Sequence, residues 1–146
     1  ILNFAVSAQD VPREKEATLE LFEEIGKGQF LAYVSEIAFA EIHSAGEEKR
    51  NELIKVVRKI NPEELPMTEE AVVLATHYIE SKIIPANHRN DALHIAIATV
   101  HNLDVIVSWN FEHMVKLKTR REVPAINALM RYKSIEICSP LEMIEP

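Results

Sequence analysis
The chain has 146 residues, 47% of them hydrophobic and 27% charged, with a formal net charge of −7. That is enough for one domain with a real core and too little for two. The negative balance excludes passive coating of nucleic acid, while an enzyme acting on nucleic acid depends on local patches rather than on the sum. One cysteine, Cys138, excludes an internal disulfide framework and a cysteine-type zinc site; near a strand it reads as a small buried hydrophobe. No apolar run reaches the ~18 residues that a membrane helix needs, and no signal-peptide pattern is visible, so a cytoplasmic protein is expected.

The chain opens Ile1-Leu2-Asn3-Phe4 with no initiator Met. It reads as starting inside an element, so the expectation is a single domain over residues 1–146 that lacks its first, central strand. Asp10-Val11-Pro12 is a helix opening, with Asp10 as cap and Pro12 in the first turn. Leu21, Phe22 and Ile25 share a face, and Gly26 and Gly28 stop the helix. Residues 30–34 form a short apolar strand. Ser35 caps a largely buried helix through Ile42, with Glu41 on the side of Ile37 and Ala38. Residues 47–60 form an amphipathic helix with Leu53, Ile54, Val57 and Ile60 inward, broken by Asn61-Pro62. Residues 64–67 suggest a short strand, and Thr68 caps a helix through Ile79 to Lys82. A polar loop over residues 85–89 follows.

Residues 90–100 are apolar on nearly every side after the first two, the pattern of a helix buried in a core. Its polar opening holds Asp91. Val105-Ile106-Val107 reads as a buried parallel strand ending in Ser108-Trp109-Asn110. A short helix is expected over residues 111–117, another from Pro124 to about Arg131, and a last strand over residues 134–138 before Ser139-Pro140 turns the chain outward. Strands alternating with helices predict a three-layer α/β/α sandwich around a mainly parallel sheet.

Glu41 and Asp91 are the two acids set in apolar helices, where an unpaired charge costs several kcal/mol. Asp91 also reads as a first-turn acid favoured by the helix dipole, and Glu41 as an acid at the rim of a partly buried helix. Both follow apolar strands, so a parallel sheet brings them to one edge. Converging carboxylates, with no cysteine and no histidine cluster, make a hard oxygen site of the Mg²⁺ or Mn²⁺ kind. His94 and His101 lie two helical turns apart and cannot share an ion. His94 reads as a core or rim histidine oriented by a hydrogen bond, and His88 and His113 as solvated. The basic run Lys116, Lys118, Arg120 and Arg121 is either a solvated helix end or a contact for phosphates, which Arg131 and Lys133 would extend. Trp109 reads as core packing ahead of base stacking.

Three blocks resemble the PIN-domain family, the fold of many VapC-type toxin ribonucleases. Val34-Ser35-Glu36-Ile37-Ala38-Phe39-Ala40-Glu41-Ile42 is similar to the family's strand–Ser–helix block with its helical acid. Asn90-Asp91-Ala92-Leu93-His94-Ile95-Ala96 is similar to its Asp-led buried helix. Val105-Ile106-Val107-Ser108-Trp109-Asn110-Phe111 is similar to its strand ending in a polar pair. Ile1-Leu2-Asn3 resembles the tail of the family's opening block, whose first Asp would fall just before Ile1. The resemblance implies a metal-dependent ribonuclease in which Glu41 and Asp91 hold Mg²⁺ or Mn²⁺. Asn110 would orient the water, and Asn3 and Ser35 would position the carboxylates by hydrogen bonds. It further implies an RNA substrate, a small antitoxin partner and a homodimer, with no membrane. Asn110 stands where many members carry Asp, which keeps open a degenerate, non-catalytic domain that binds RNA or a protein.

Overall fold
The computed structural model describes residues 2–6, 23, 27, 30–108 and 113–144, with the main chain alone at 2–6, 30, 49, 52, 53, 56 and 144. Of the helix expected over residues 10–25, only Glu23 falls among them, and it is helical. In chain order the elements are β1 (Leu2–Val6), β2 (Phe30–Ser35), α1 (Glu36–Ser44), α2 (Glu47–Ile60), β3 (Glu63–Leu65), α3 (Glu69–Glu80), a 3₁₀ turn (Ala86–His88), α4 (Arg89–Val100), β4 (Val105–Val107), α5 (Leu117–Leu129), β5 (Glu136–Cys138) and α6 (Pro140–Ile144).

The strands form one sheet in the order β3-β2-β1-β4-β5, every neighbouring pair parallel. Parallel neighbours need crossovers long enough for helices, and the helices cover the sheet to give the α/β/α arrangement. The central place that the sequence reading left vacant is filled. Leu2–Val6 pairs with Phe30 to Tyr33 on one side and with Val105 to Val107 on the other. Buried backbone groups require partners, and Leu2-Asn3-Phe4-Ala5-Val6 is apolar enough to sit between two strands, so no inner edge is left open there.

The core is built around α4. Asp91 through Thr99 are buried without interruption, against Leu74, Ala75 and Tyr78 of α3, Ile106 of β4 and Ile137 of β5. Each fully buried Ile or Leu of this helix contributes ~1.5–3 kcal/mol relative to an exposed one. Three of the buried side chains with polar groups are joined by hydrogen bonds. Tyr78 Oη donates to Asn127 Oδ1, and Asn127 Nδ2 donates to Thr99 Oγ1 at 3.4 Å. Thr99 Oγ1 in turn donates to the Ile95 carbonyl at 2.9 Å. The chain of bonds ties α3, α5 and α4 together.

Residues 113–116 form turns rather than the end of a helix, and α5 begins at Leu117 and runs through Pro124 to Leu129. Both points correct the sequence reading. Thr119 Oγ1 reaches back to the His113 carbonyl at 2.5 Å, which holds the turn closed ahead of the helix. Pro124 therefore sits inside a helix, where its missing N–H and its ring ordinarily cost ~3 kcal/mol; the buried Val123 and Asn127 on either side anchor that helix to the core.

Three helices end in the same way without a glycine. After α3, Lys82 N donates to the Ile79 carbonyl and Ile83 N to the Tyr78 carbonyl. After α4, Asn102 N donates to Thr99 and Leu103 N to Ala98, and after α5, Arg131 N donates to Ala128 and Tyr132 N to Asn127. These are Schellman pairs, and they force φ to 59° at Lys82, 60° at Asn102 and 65° at Arg131. Asn tolerates the left-handed region; a side chain such as Arg pays ~1–2 kcal/mol. Arg131→Gly is expected to raise stability by about 0.5–1 kcal/mol, the relief being offset partly by a freer unfolded chain. A higher urea midpoint with an unchanged slope is the check.

Candidate active site
In an open parallel sheet the loops at the carboxyl ends of the strands line one edge. Ser35 closes β2 there and caps α1, its Oγ accepting the Ala38 N–H at 3.1 Å. The same Oγ lies 3.4 Å from His94 Nδ1, and His94 Nε2 lies 3.0 Å from Glu41 Oε1. A carboxylate only accepts, so Nε2 carries the hydrogen of that bond. In the neutral imidazole Nδ1 accepts from the Ser35 hydroxyl, and in the imidazolium it donates to Ser35 Oγ; either way His94 links Ser35 to Glu41. His94 is thus the buried, hydrogen-bond-oriented histidine that the sequence suggests.

Asp91 stands three residues before His94, so the two are neighbours on one face of α4. Its side chain is 5% exposed. Glu41 thus reaches α4 at His94, three residues along the helix from Asp91. Glu41 Oε2 is buried and has no hydrogen-bond partner among the described residues.

The other histidines differ from expectation. His113, read as solvated, is 8% exposed. It begins a buried run with Met114 and Val115, which draws its ring inward. That ring lies 3.9 Å from the His88 ring, tilted by 36°, and His88 Nδ1 is 3.8 Å from Asp91 Oδ2. A His88–Asp91–His113 cluster therefore exists, where the sequence reading saw no histidine cluster. Residues 88 and 113 belong to different crossovers, and only the shared sheet edge could have hinted at their meeting. His101 bonds to the Ile97 carbonyl of its own helix at 2.8 Å and takes no part.

Asn110, Trp109 and Phe111 lie outside the described residues, as does the side chain of Asn3, whose main chain pairs in β1 opposite Leu31. The basic run falls at the start of α5. Lys118 Nζ donates to the Lys82 carbonyl at 2.9 Å, and Arg120 pairs with Glu142 at 2.9 Å. Arg121 is exposed and Lys116 half-buried. Half the run is thus engaged with the protein itself.

Cys138 is half-buried on β5. Burial, reinforced by the nearby Glu142 charge and opposed by Arg120, pushes its thiol up to about 11 from an ordinary 9.0. Alkylation by iodoacetamide at pH 8 is expected to run ten- to a hundredfold slower in the native protein than in urea, since the thiolate is the nucleophile. Equal rates would mean that burial does not protect the thiol.

The fold is that of an α/β protein of PIN-like architecture. The chain superposes on a chain from the crystal structure of VapBC2 from Rickettsia felis bound to a DNA fragment from their promoter, with a TM-score of 0.54 and 14% identity, covering 94% of this chain and 98% of that one. At that identity the likeness establishes the fold alone. No protein-family model and no curated protein matches the sequence.

Proposed function
We propose that the chain is a Mg²⁺- or Mn²⁺-dependent ribonuclease that hydrolyses RNA phosphodiester bonds as the toxin of a toxin–antitoxin pair. The observation that carries this reading is the half-buried Glu41 side chain with its buried Oε2. One of its oxygens is held by His94, three residues along α4 from Asp91, and the other has no partner among the described residues. An oxygen so placed costs several kcal/mol unless something satisfies it, and a pair of carboxylates fits a hard divalent cation.

Glu41 and Asp91 would hold the ion, which when bound supplies Lewis acidity toward a phosphoryl oxygen and lowers the pKa of a water. The remaining work falls to the protein. His94, fixed by Ser35, holds the Glu41 carboxylate in one orientation. Asn3, at the sheet's centre, would support the acids by hydrogen bonding, and Asn110, beyond β4, would orient the attacking water. With Lys118 and Arg120 engaged elsewhere, Lys116 and Arg121 would carry most of the phosphate contacts, and binding would weaken with salt accordingly. The fold shared with a VapBC2 chain supports an antitoxin partner; the proposal extends to a homodimer in the cytoplasm. No described helix is long and apolar enough to cross a membrane.

The test is incubation of purified protein with RNA, with and without Mg²⁺ or Mn²⁺ and with EDTA. Cleavage that needs either ion and stops with EDTA is expected. Intact RNA with both ions present would overturn the reading.

A further inference from the structure
We propose that His88, Asp91 and His113 form a binding site for a first-row transition ion of the Zn²⁺ kind. One ligand atom from each residue can be chosen so that all lie within 4.8 Å of one another. The arrangement has a structural cause. His88 and Asp91 are three residues apart across the start of α4 and so fall on one face. His113 arrives from the loop after β4, at the same edge of the sheet.

Two of the three ligands are held in place. Asp91 and His113 are buried, and the His113 main chain is pinned by Thr119. The His88 side chain is 43% exposed on the 3₁₀ turn. A tetrahedral zinc site with bonds of ~2.1 Å places its ligand atoms roughly 3.4 Å apart. The cluster's atoms lie within 4.8 Å of one another, and the exposed His88 is the ligand freest to adjust toward that spacing. The stack of the two rings, 3.9 Å between centroids, already brings both imidazoles to one side.

The donor set decides the class of ion. Two imidazoles and one carboxylate, with no thiolate, suit Zn²⁺, Co²⁺ or Ni²⁺ and are poor ligands for Mg²⁺, which keeps oxygens and water. The amino end of α4 carries partial positive charge. A cation there needs the full charge of Asp91, and the protein's net charge of −7 favours its approach. Three protein ligands leave the remaining positions open toward the solvent side of His88. The site shares Asp91 with the proposed hydrolytic pair but does not depend on RNA cleavage.

Titration of the metal-free protein with Co²⁺, read by its visible absorption, and with Zn²⁺, read by calorimetry, tests it. One Zn²⁺ or Co²⁺ per chain is expected, with excess Mg²⁺ competing only through the shared Asp91 and not abolishing binding, because imidazole donors suit Mg²⁺ poorly. His88→Ala, on an exposed turn where folding is not at stake, should weaken binding at least tenfold, and His113→Gln should do the same. His43→Ala, at an exposed histidine outside the cluster, should leave Zn²⁺ affinity within about twofold. Zn²⁺ binding that survives His88→Ala but is lost in Glu41→Gln would overturn the proposal, as would no saturable binding. If RNA is not cleaved while Zn²⁺ binding follows His88, this site stands and the ribonuclease reading fails.

Discussion

Asp91→Asn is expected to reduce metal-stimulated RNA cleavage by at least a hundredfold while leaving the fold intact. The exchange keeps the size of the side chain and removes its charge. Groups one step removed from a metal already cost about 10–100-fold when lost, and Asp91 is proposed as a direct ligand. Stability should change by less than about 1 kcal/mol. The favourable interaction with the helix dipole, ~0.3–1 kcal/mol, is given up, while the burden of a charge that is only 5% exposed is relieved. A second readout separates binding from chemistry. At a hundredfold excess of ion over Kd the parent gains ~2.7 kcal/mol of stability, a gain the variant should not show. Equal cleavage by variant and parent would remove Asp91 from the reaction.

Asn127→Ala should be among the most destabilising single changes, costing about 3–4 kcal/mol in urea unfolding. Asn127 is fully buried, so truncation leaves a cavity and strips the Tyr78 hydroxyl of its acceptor. An unsatisfied buried group costs ~1–3 kcal/mol by itself. Titration offers no escape, because burial holds the Tyr78 hydroxyl protonated far above the ordinary tyrosine range. The companion experiment is a double-mutant cycle. Tyr78→Phe with Asn127→Leu removes both partners, and the pair should cost at least 1 kcal/mol less than the sum of the two single changes. Strict additivity would mean that the bond contributes nothing.

Much of this architecture is legible in the sequence because it follows from local chemistry. Ser35 and Thr68 announce helix starts, and each accepts the amide three residues on. The helix over Glu47–Ile60 ends where Asn61 enters the left-handed region, at a φ of 51°. The unbroken apolar run after Asp91 predicts a buried helix and is one. Reading failed where tertiary forces override local preference. Pro124 marks a helix start in isolation, yet the core grips α5 on both sides of it. No glycine signals the ends at Lys82 and Arg131, because the buried Ile83 and the half-buried Tyr132 beyond them are drawn back onto the core. Ile1-Leu2-Asn3 reads as the tail of an opening block with the central strand missing, whereas a strand over Leu2–Val6 fills the middle of the sheet.

The candidate site was legible in part. Glu41 and Asp91 stand out as acids among apolar neighbours; in the structure Glu41 bonds to His94 and Asp91 lies beside His88. The partnership of Ser35, His94 and Glu41 was not readable, since it joins residues 59 and 53 positions apart. Nor was the burial of His113, whose immediate sequence gives no periodic signal.

Both outer strands, β3 and β5, are three residues long. A strand laid alongside either would find too few free amides and carbonyls to form a lasting ladder. Growth of the sheet from one molecule into the next is therefore discouraged at both margins. Any lasting association, whether with a second copy or with a different chain, is left to the helical flanks, where shape and side-chain chemistry rather than main-chain zippering choose the companion.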